Sequence, residues 1–412
     1  MEPASRANAG VTPRPTHAPP PQASTPTSRP IPAQRRASAA LADGPDRPCK
    51  AKPQPAPPWV DPASNRECDL EIVNLQDLEQ DAKRILSPRR YSFIEPVGDG
   101  VSYRENLRAF EAHPILPRRL RGIKAIDLRT QLLGQALPFP IITCPMGSHG
   151  RFHVEAENAT ARGTGAAGTL YVSSGAANQT MEDIAGATSG PKWFQIYMNR
   201  DMEINRWLCK RAREAGYTAI VFTVDALGAS QSDAYVRHGR YTPPDLTIGN
   251  HDPKRGGRGD FRDQKRDITF EDIRFLREES GLPVVVKGLT HPDDVDKAIG
   301  AGAAAVWISN HGGRQIDGVP ASLTLLEAAA KRVAGRVPVI FDSGVRRGID
   351  VFKAIALGAD VVAVGRPVLW GLINGGAGGV KTVYEHIVRE LKEAMLLAGR
   401  ANVKDITRDS VG

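Results

Sequence analysis

The 412-residue sequence is poor in several features, and each shortage excludes something. There are only four cysteines, Cys49, Cys68, Cys144 and Cys209, far apart and without C-x-x-C or paired Cys/His spacing. That argues against structural zinc and against a disulfide-stapled secreted scaffold, leaves buried inert thiols as the expectation, and makes the cytoplasm the expected compartment. No run approaches the roughly 18–20 uninterrupted apolar residues of a membrane helix, so no membrane role is expected. Aromatic and basic residues nowhere interleave in a cluster. The formal charge of +8 is concentrated in the first 60 residues, where eight Lys/Arg stand against three acids. The rest is nearly balanced, which argues against a nucleic-acid partner.

Residues 1–60 are dominated by Pro, Ala, Ser and Thr, too little apolar surface to offset the entropy cost of folding, and are expected to be disordered. Gln34–Ser38 contains a twin arginine, but no apolar segment follows it, so export is not the expectation. From about Asp69 the texture changes. "LEIVNLQDLEQDAKRIL" and "YRENLRAFEAHPIL" have helical apolar spacing.

Beyond Leu133 short β-branched runs alternate with amphipathic or Ala-rich stretches. The runs lie at 140–146, 168–174, 193–198, 219–226, 283–288, 305–310, 338–344 and 361–366. Each is continuously apolar, as in parallel strands buried on both faces. Eight βα units predict an α/β fold, a (β/α)8 TIM barrel, with an N-terminal helical extension and the Pro-rich tail; a doubly wound open sheet is the competitor. One domain is expected over 69–406. The long polar, Gly-rich connection at 240–268 reads as a lid loop.

In such a barrel the active site lies at the C-terminal strand ends. Polar residues gather there: Gln195 and Tyr197; Thr223 and Asp225; Lys287; Ser309, Asn310, His311 and Arg314; Asp342, Ser343 and Gly344; Gly365 and Arg366. "DSGVRRG" and "VGRPVLWG" put Gly-rich backbone and arginines after the last two runs, the usual phosphate site of these barrels. "SNHGGRQ" places a histidine three residues before an arginine, which suits a proton acceptor beside an anion clamp.

"SNHGGRQIDG", "VPVIFDSGVRRGIDVFKAIALGADVVAVGRPVLWGL", "WFQIYM" and "VVVKG" closely resemble the FMN-dependent 2-hydroxy acid oxidases and dehydrogenases, over roughly Asp69 to Ile406. The resemblance implies FMN as cofactor, oxidation of a small-molecule (S)-2-hydroxy acid, and a homotetramer. By position, His311 would take the hydroxyl proton and Asp225 would orient it. Tyr197 would bond the substrate oxygen, Arg314 would hold its carboxylate, and Lys287 would stabilise the reduced flavin. Ser174, Gln195, Thr223 and Ser309 would contact the ring or ribityl chain. Asp342, Gly344, Arg346, Gly365 and Arg366 would hold ribityl and phosphate, and the backbone of Pro145, Met146 and Gly147 would pass over the flavin.

Three substrate-side positions depart from the pattern. Phe93 stands for a family tyrosine, Ser232 for a second carboxylate-binding arginine, and Ala176 for an aromatic. Two lost hydrogen bonds to a carboxylate at roughly 1.5–3 kcal/mol each weaken small-acid binding by about two to four decades. The expected substrate is therefore larger than lactate; the counter-reading has a lid residue, for instance Arg237 or Arg240, replace the missing arginine. The acceptor is oxygen, a quinone or a protein, with oxygen favoured because no haem domain or apolar insert is attached. Two other functions compete: an FMN barrel of different redox or isomerase chemistry, and a flavin-binding protein without catalysis.

Overall fold

The apolar runs become strands because β-branched and aromatic side chains fit a pleated surface covered on both sides. A computed structural model describes residues 64–228, 231–243, 246–251 and 263–412, all within one compact unit, Arg47–Gly412. The expectation of a disordered tail falls outside the described residues.

Three helices come first: α1 (Leu75–Ile85), α2 (Pro88–Tyr91) and α3 (Val101–Arg108). Asn74 caps α1, its side chain accepting from the Asp77 N–H at 2.7 Å. An antiparallel hairpin follows, β1 (Thr130–Leu132) and β2 (Gln135–Leu137). The barrel strands are β3 (Ile141–Thr143), β4 (Tyr171–Ser174), β5 (Lys192–Ile196), β6 (Ile220–Thr223), β7 (Val284–Leu289), β8 (Ala305–Ile308), β9 (Val339–Phe341) and β10 (Val361–Val364). The connecting helices are α4 (Ala156–Ala166), α5 (Met181–Gly186), α6 (Met202–Glu214), α7 (Asp233–Arg237), α8 (Glu271–Ser280), α9 (Pro292–Gly300), α10 (Ser322–Val333), α11 (Gly348–Ala356) and α12 (Arg366–Ala398).

The sheet is parallel in the order β3-β10-β9-β8-β7-β6-β5-β4. Its two ends meet: the Thr143 N–H donates to the Leu170 carbonyl at 3.1 Å, and Met146 bridges Ser173. The ring is closed, so the open-sheet alternative is wrong. No helix among the described residues is long and apolar enough to cross a membrane.

Side chains alternate along a strand, so one parity points to the barrel axis. Val172, Trp193, Val221, Val285, Trp307 and Ile340 carry that parity and pack into one interior cluster, which Leu132 and Leu137 of the hairpin join. The opposite parity, including Phe194, Ile220, Phe222 and Val306, packs with the helices in the larger outer core. α12 breaks at Gly375 and Gly376, the latter at φ +60°; the Glu67 carboxylate accepts from the Ala377 and Gly378 N–H groups just beyond, at 3.1 and 2.9 Å. Cys144 and Cys209 are free and buried, as expected, but Cys68 is disulfide-bonded, which the spacing of the cysteines did not indicate.

Candidate active site

One step above the apolar interior, the same inward parity delivers Ser174, Gln195, Thr223, Lys287, Ser309 and Asp342, all buried. This polar layer is where the strands end and hydrophobic filling stops. Above it opens a cavity of about 960 Å³.

Asp342 organises one side of the layer. It accepts from Ser309 Oγ and Ser343 Oγ, each at 2.7 Å, and from Trp307 Nε1 at 3.0 Å. Lys287 Nζ lies 3.5 Å from the same carboxylate and donates to Ser309 Oγ at 3.0 Å. Burial works to lower the Lys287 pKa, but the charges of Asp342 and Asp225 outweigh it and hold it raised. The ammonium is therefore permanent at any working pH.

His311 Nδ1 stands 2.9 Å from Asp225 Oδ1. Burial favours neutral Asp225, yet the nearby His311 and Lys287 overcome that and keep its carboxyl below the usual range. An ionised carboxylate only accepts, so Nδ1 carries the proton and Nε2 keeps the lone pair. Burial pushes the imidazole below its ordinary pKa, against Asp225, which works to raise it. Backbone geometry supports the pair. His311 itself adopts φ +58°, a left-handed conformation that a non-glycine residue holds only when its surroundings impose it. Opposite, a register shift between Lys287 and Leu289 places Gly288 at φ +107°, and a Cβ there would sit 2.6 Å from Asp225 Cβ.

The N-terminal segment braces this loop. The Val97 N–H donates to the Gly313 carbonyl at 3.0 Å, and Asn106 and Asn310 exchange side-chain amide bonds at 2.8 and 2.9 Å. Arg314 Nη2 donates to the Phe93 carbonyl at 2.6 Å. Tyr197 lines the cavity beside them, its phenol pushed up to about 12 by burial, with Lys287 pulling the other way.

The far end of the cavity is basic. Arg346 donates from Nη1 to the Val345 carbonyl at 2.8 Å, and its guanidinium lies 4.9 Å from the Trp370 ring centre. Arg366 donates to the Ile94 and Gly312 carbonyls, both at 2.8 Å. Burial first, then Arg314 and Arg346, lowers the Arg366 pKa to about 10. Both arginines keep a buried Nη2 with no hydrogen-bond partner, and so do Gln195 Nε2 and Thr223 Oγ1 in the layer below. Buried polar atoms are nearly always paired, so these four fit a polar, phosphate-bearing group such as FMN seated on the strand ends.

Pro145, Met146, Gly147, Ser174, Ala176, Phe93, Ser232, Gly344 and Gly365 also line the cavity, whereas Gln195, Thr223, Asp225 and Ser309 stand just behind it. Ser232 is occupied: its Oγ donates to the Ser92 carbonyl at 3.0 Å and accepts the Tyr235 N–H at 3.1 Å, capping α7. Of the counter-reading for the missing arginine, the two residues named do not reach the site. Arg237 is exposed and pairs with Asp233 at 3.5 Å, Arg240 donates to Gln231, and neither lines the cavity. Beyond Arg314, Arg346 and Arg366, the arginines that line it are the buried Arg151, which nothing in its sequence context singles out, and the exposed Arg266 of the 240–268 connection. Of the 240–268 connection, 244, 245 and 252–262 lie outside the described residues; Thr242, Leu246, Thr247, Ile248, His251 and Arg266 line the cavity.

A family model for FMN-dependent dehydrogenases matches residues 82–412, so the chain belongs to that family and FMN is its cofactor. Its relatives are 2-hydroxy acid oxidases. The L-lactate oxidase of Lactobacillus jensenii is 41% identical over 84% of this chain and 86% of its own length. A peroxisomal (S)-2-hydroxyacid oxidase of Arabidopsis thaliana is 37% identical over 83% and 96%. Among solved structures, a mandelate oxidase superposes with a TM-score of 0.78 at 34% identity, covering 83% of this chain and 98% of that one. The protein is an FMN-dependent oxidoreductase of the 2-hydroxy acid oxidase family.

Proposed function

We propose that the protein oxidises an (S)-2-hydroxy acid larger than lactate to the 2-oxo acid, with oxygen as electron acceptor. The observation that carries the reading is the His311–Asp225 pair at 2.9 Å, an uncharged imidazole whose free nitrogen belongs to a cavity-lining residue.

In this reading Arg314 holds the substrate carboxylate and Tyr197, kept protonated by burial, donates to the substrate oxygen. His311 Nε2 takes the α-hydroxyl proton, and Asp225 stabilises the imidazolium that results. FMN supplies the acceptor for the α-hydrogen with its electron pair. Lys287 contributes fixed positive charge to the cofactor-binding face. Pro145, Met146, Gly147, Ser174, Gln195, Thr223 and Ser309 would hold the ring and ribityl chain; Asp342, Gly344, Arg346, Gly365 and Arg366 would hold ribityl and phosphate.

Three things support a larger substrate: Ala176 frees volume, Phe93 offers no hydroxyl, and Ser232 is committed to its cap. The mandelate oxidase likeness adds that the scaffold takes a bulky acid elsewhere. Anaerobic titration with a panel of (S)-2-hydroxy acids tests this by bleaching of the visible flavin band. Larger acids should act at lower concentration than lactate; sub-millimolar half-saturation by lactate would sink the size assignment. Readmitting oxygen should restore the band with one hydrogen peroxide per turnover, and a band that stays bleached rules oxygen out.

A further inference from the structure

Arg151 sits in the single turn His149–Arg151 after β3, is 5% exposed, and lines the cavity. Its guanidinium lies 4.3 Å from the centre of the Phe93 ring and 5.6 Å from that of Tyr235. Nη1 donates to the Tyr241 carbonyl, and Nη2 to Thr242 Oγ1 at 2.9 Å and Tyr235 OH at 3.4 Å. These neutral partners fix the side chain without neutralising it. Its Nε is buried and has no hydrogen-bond partner. No carboxylate pairs with Arg151 among the described residues. Arg314 stands on the same Phe93 ring, 5.1 Å from its centre, and the charge of Arg151 lowers the Arg314 pKa beyond the effect of burial.

A buried guanidinium with no counter-ion is unfavourable unless a ligand supplies one. Every other charge on the cavity wall that is not solvent-exposed has its complement: Lys287 faces Asp342 and His311 faces Asp225. Arg346 and Arg366 face the phosphate end, and Arg314 serves the carboxylate of a 2-hydroxy acid. One enclosed positive charge remains, since Arg266, which also lines the cavity, is exposed to solvent. We propose that Arg151 binds a second carboxylate on the substrate, so that the acid oxidised here is a 2-hydroxydicarboxylic acid. This rests on the oxidase reading above and names its substrate class. The unpaired Nε–H in a packed aromatic frame suits a carboxylate oxygen, and Arg151 and Arg314, 4.3 and 5.1 Å from the Phe93 ring centre, offer two cations to two anionic ends of one molecule.

The test compares matched acids on the holoenzyme: (S)-malate and (S)-2-hydroxyglutarate against (S)-2-hydroxybutyrate and (S)-2-hydroxyvalerate, by anaerobic flavin reduction. The dicarboxylates should half-saturate about 10- to 100-fold lower, the worth of one charge-assisted hydrogen bond. Arg151→Met should abolish that preference while leaving the monocarboxylates nearly unchanged, and Arg151→Lys should keep part of it. No preference in the native enzyme, or equal weakening of both series in Arg151→Met, overturns the proposal; the second result would make Arg151 a clamp on the single carboxylate. If no acid reduces the flavin, the oxidase reading has failed. The Arg151 assignment is then decided by calorimetric binding of 2-oxoglutarate, which should weaken at least tenfold in Arg151→Met and would be unchanged were the proposal wrong.

Discussion

Protonating His311 removes the lone pair that accepts the substrate proton, so the reductive step should carry the titration of this one ring. Burial holds its pKa below the ordinary value of about 6.5. The first-order rate of anaerobic flavin reduction should rise with pH through a midpoint below that value, then stay flat through neutrality; a midpoint above it contradicts the assignment. His311→Gln should cost roughly 10²- to 10⁴-fold in that rate, the usual worth of a positioned base. Asp225→Asn should lower the rate as well and move the midpoint further down, because Asp225 is the group working to raise the pKa. Much of this was legible beforehand, since the polar strand ends obey inward parity and "SNHGGRQ" marks base and arginine. Arg151 was not. "HGRFH" reads as an ordinary turn, and only folding brings Phe93, Tyr235 and Thr242 around it. Arg237 and Arg240 lie near Ser232 in the chain, which made them natural substitutes, yet their side chains pair at the surface.

At the scale of elements, α4 and α12 approach so closely that one glycine decides their packing. A Cβ on Gly163 would lie 2.3 Å from the Ala377 carbonyl oxygen and 2.7 Å from Val380 Cβ. Gly163→Val should therefore reduce unfolding free energy by about 1–3 kcal/mol in urea denaturation, the usual penalty for overpacking. An unchanged midpoint would mean the helices separate freely. The eight strands and most helices could be read from apolar runs and Gly-terminated stretches. The β1–β2 hairpin could not: its strands have three residues each, and "TQLLGQAL" carries no alternation long enough to register. The break in α12 was equally hidden, because Gly375 and Gly376 stand in a glycine-rich helix where most glycines remain helical.

For the whole molecule, the cavity with its unpaired polar atoms makes stability depend on the cofactor. Removing FMN should lower the melting temperature, and restoring it at 100 times its Kd should return about 2.7 kcal/mol by mass action. Calorimetry of stripped and reloaded protein measures this, and equal melting of the two forms would show that the cavity does not take the flavin. Counting eight βα units made a barrel the expectation, but closure is a property of β3 meeting β4, which no single run encodes. The bracing of the His311 loop by the N-terminal segment was likewise unreadable, since it joins parts of the chain that share no pattern.

The polar layer belongs to the strands, whereas Phe93, Arg151, Tyr235 and Thr242 belong to connections outside them. A mutation that retargets the enzyme therefore falls on segments whose replacement leaves the barrel wall untouched. Diversification of such a scaffold can proceed by swapping its rim while inheriting its redox floor. A directed-evolution library confined to these four positions would explore new acids without altering a barrel strand.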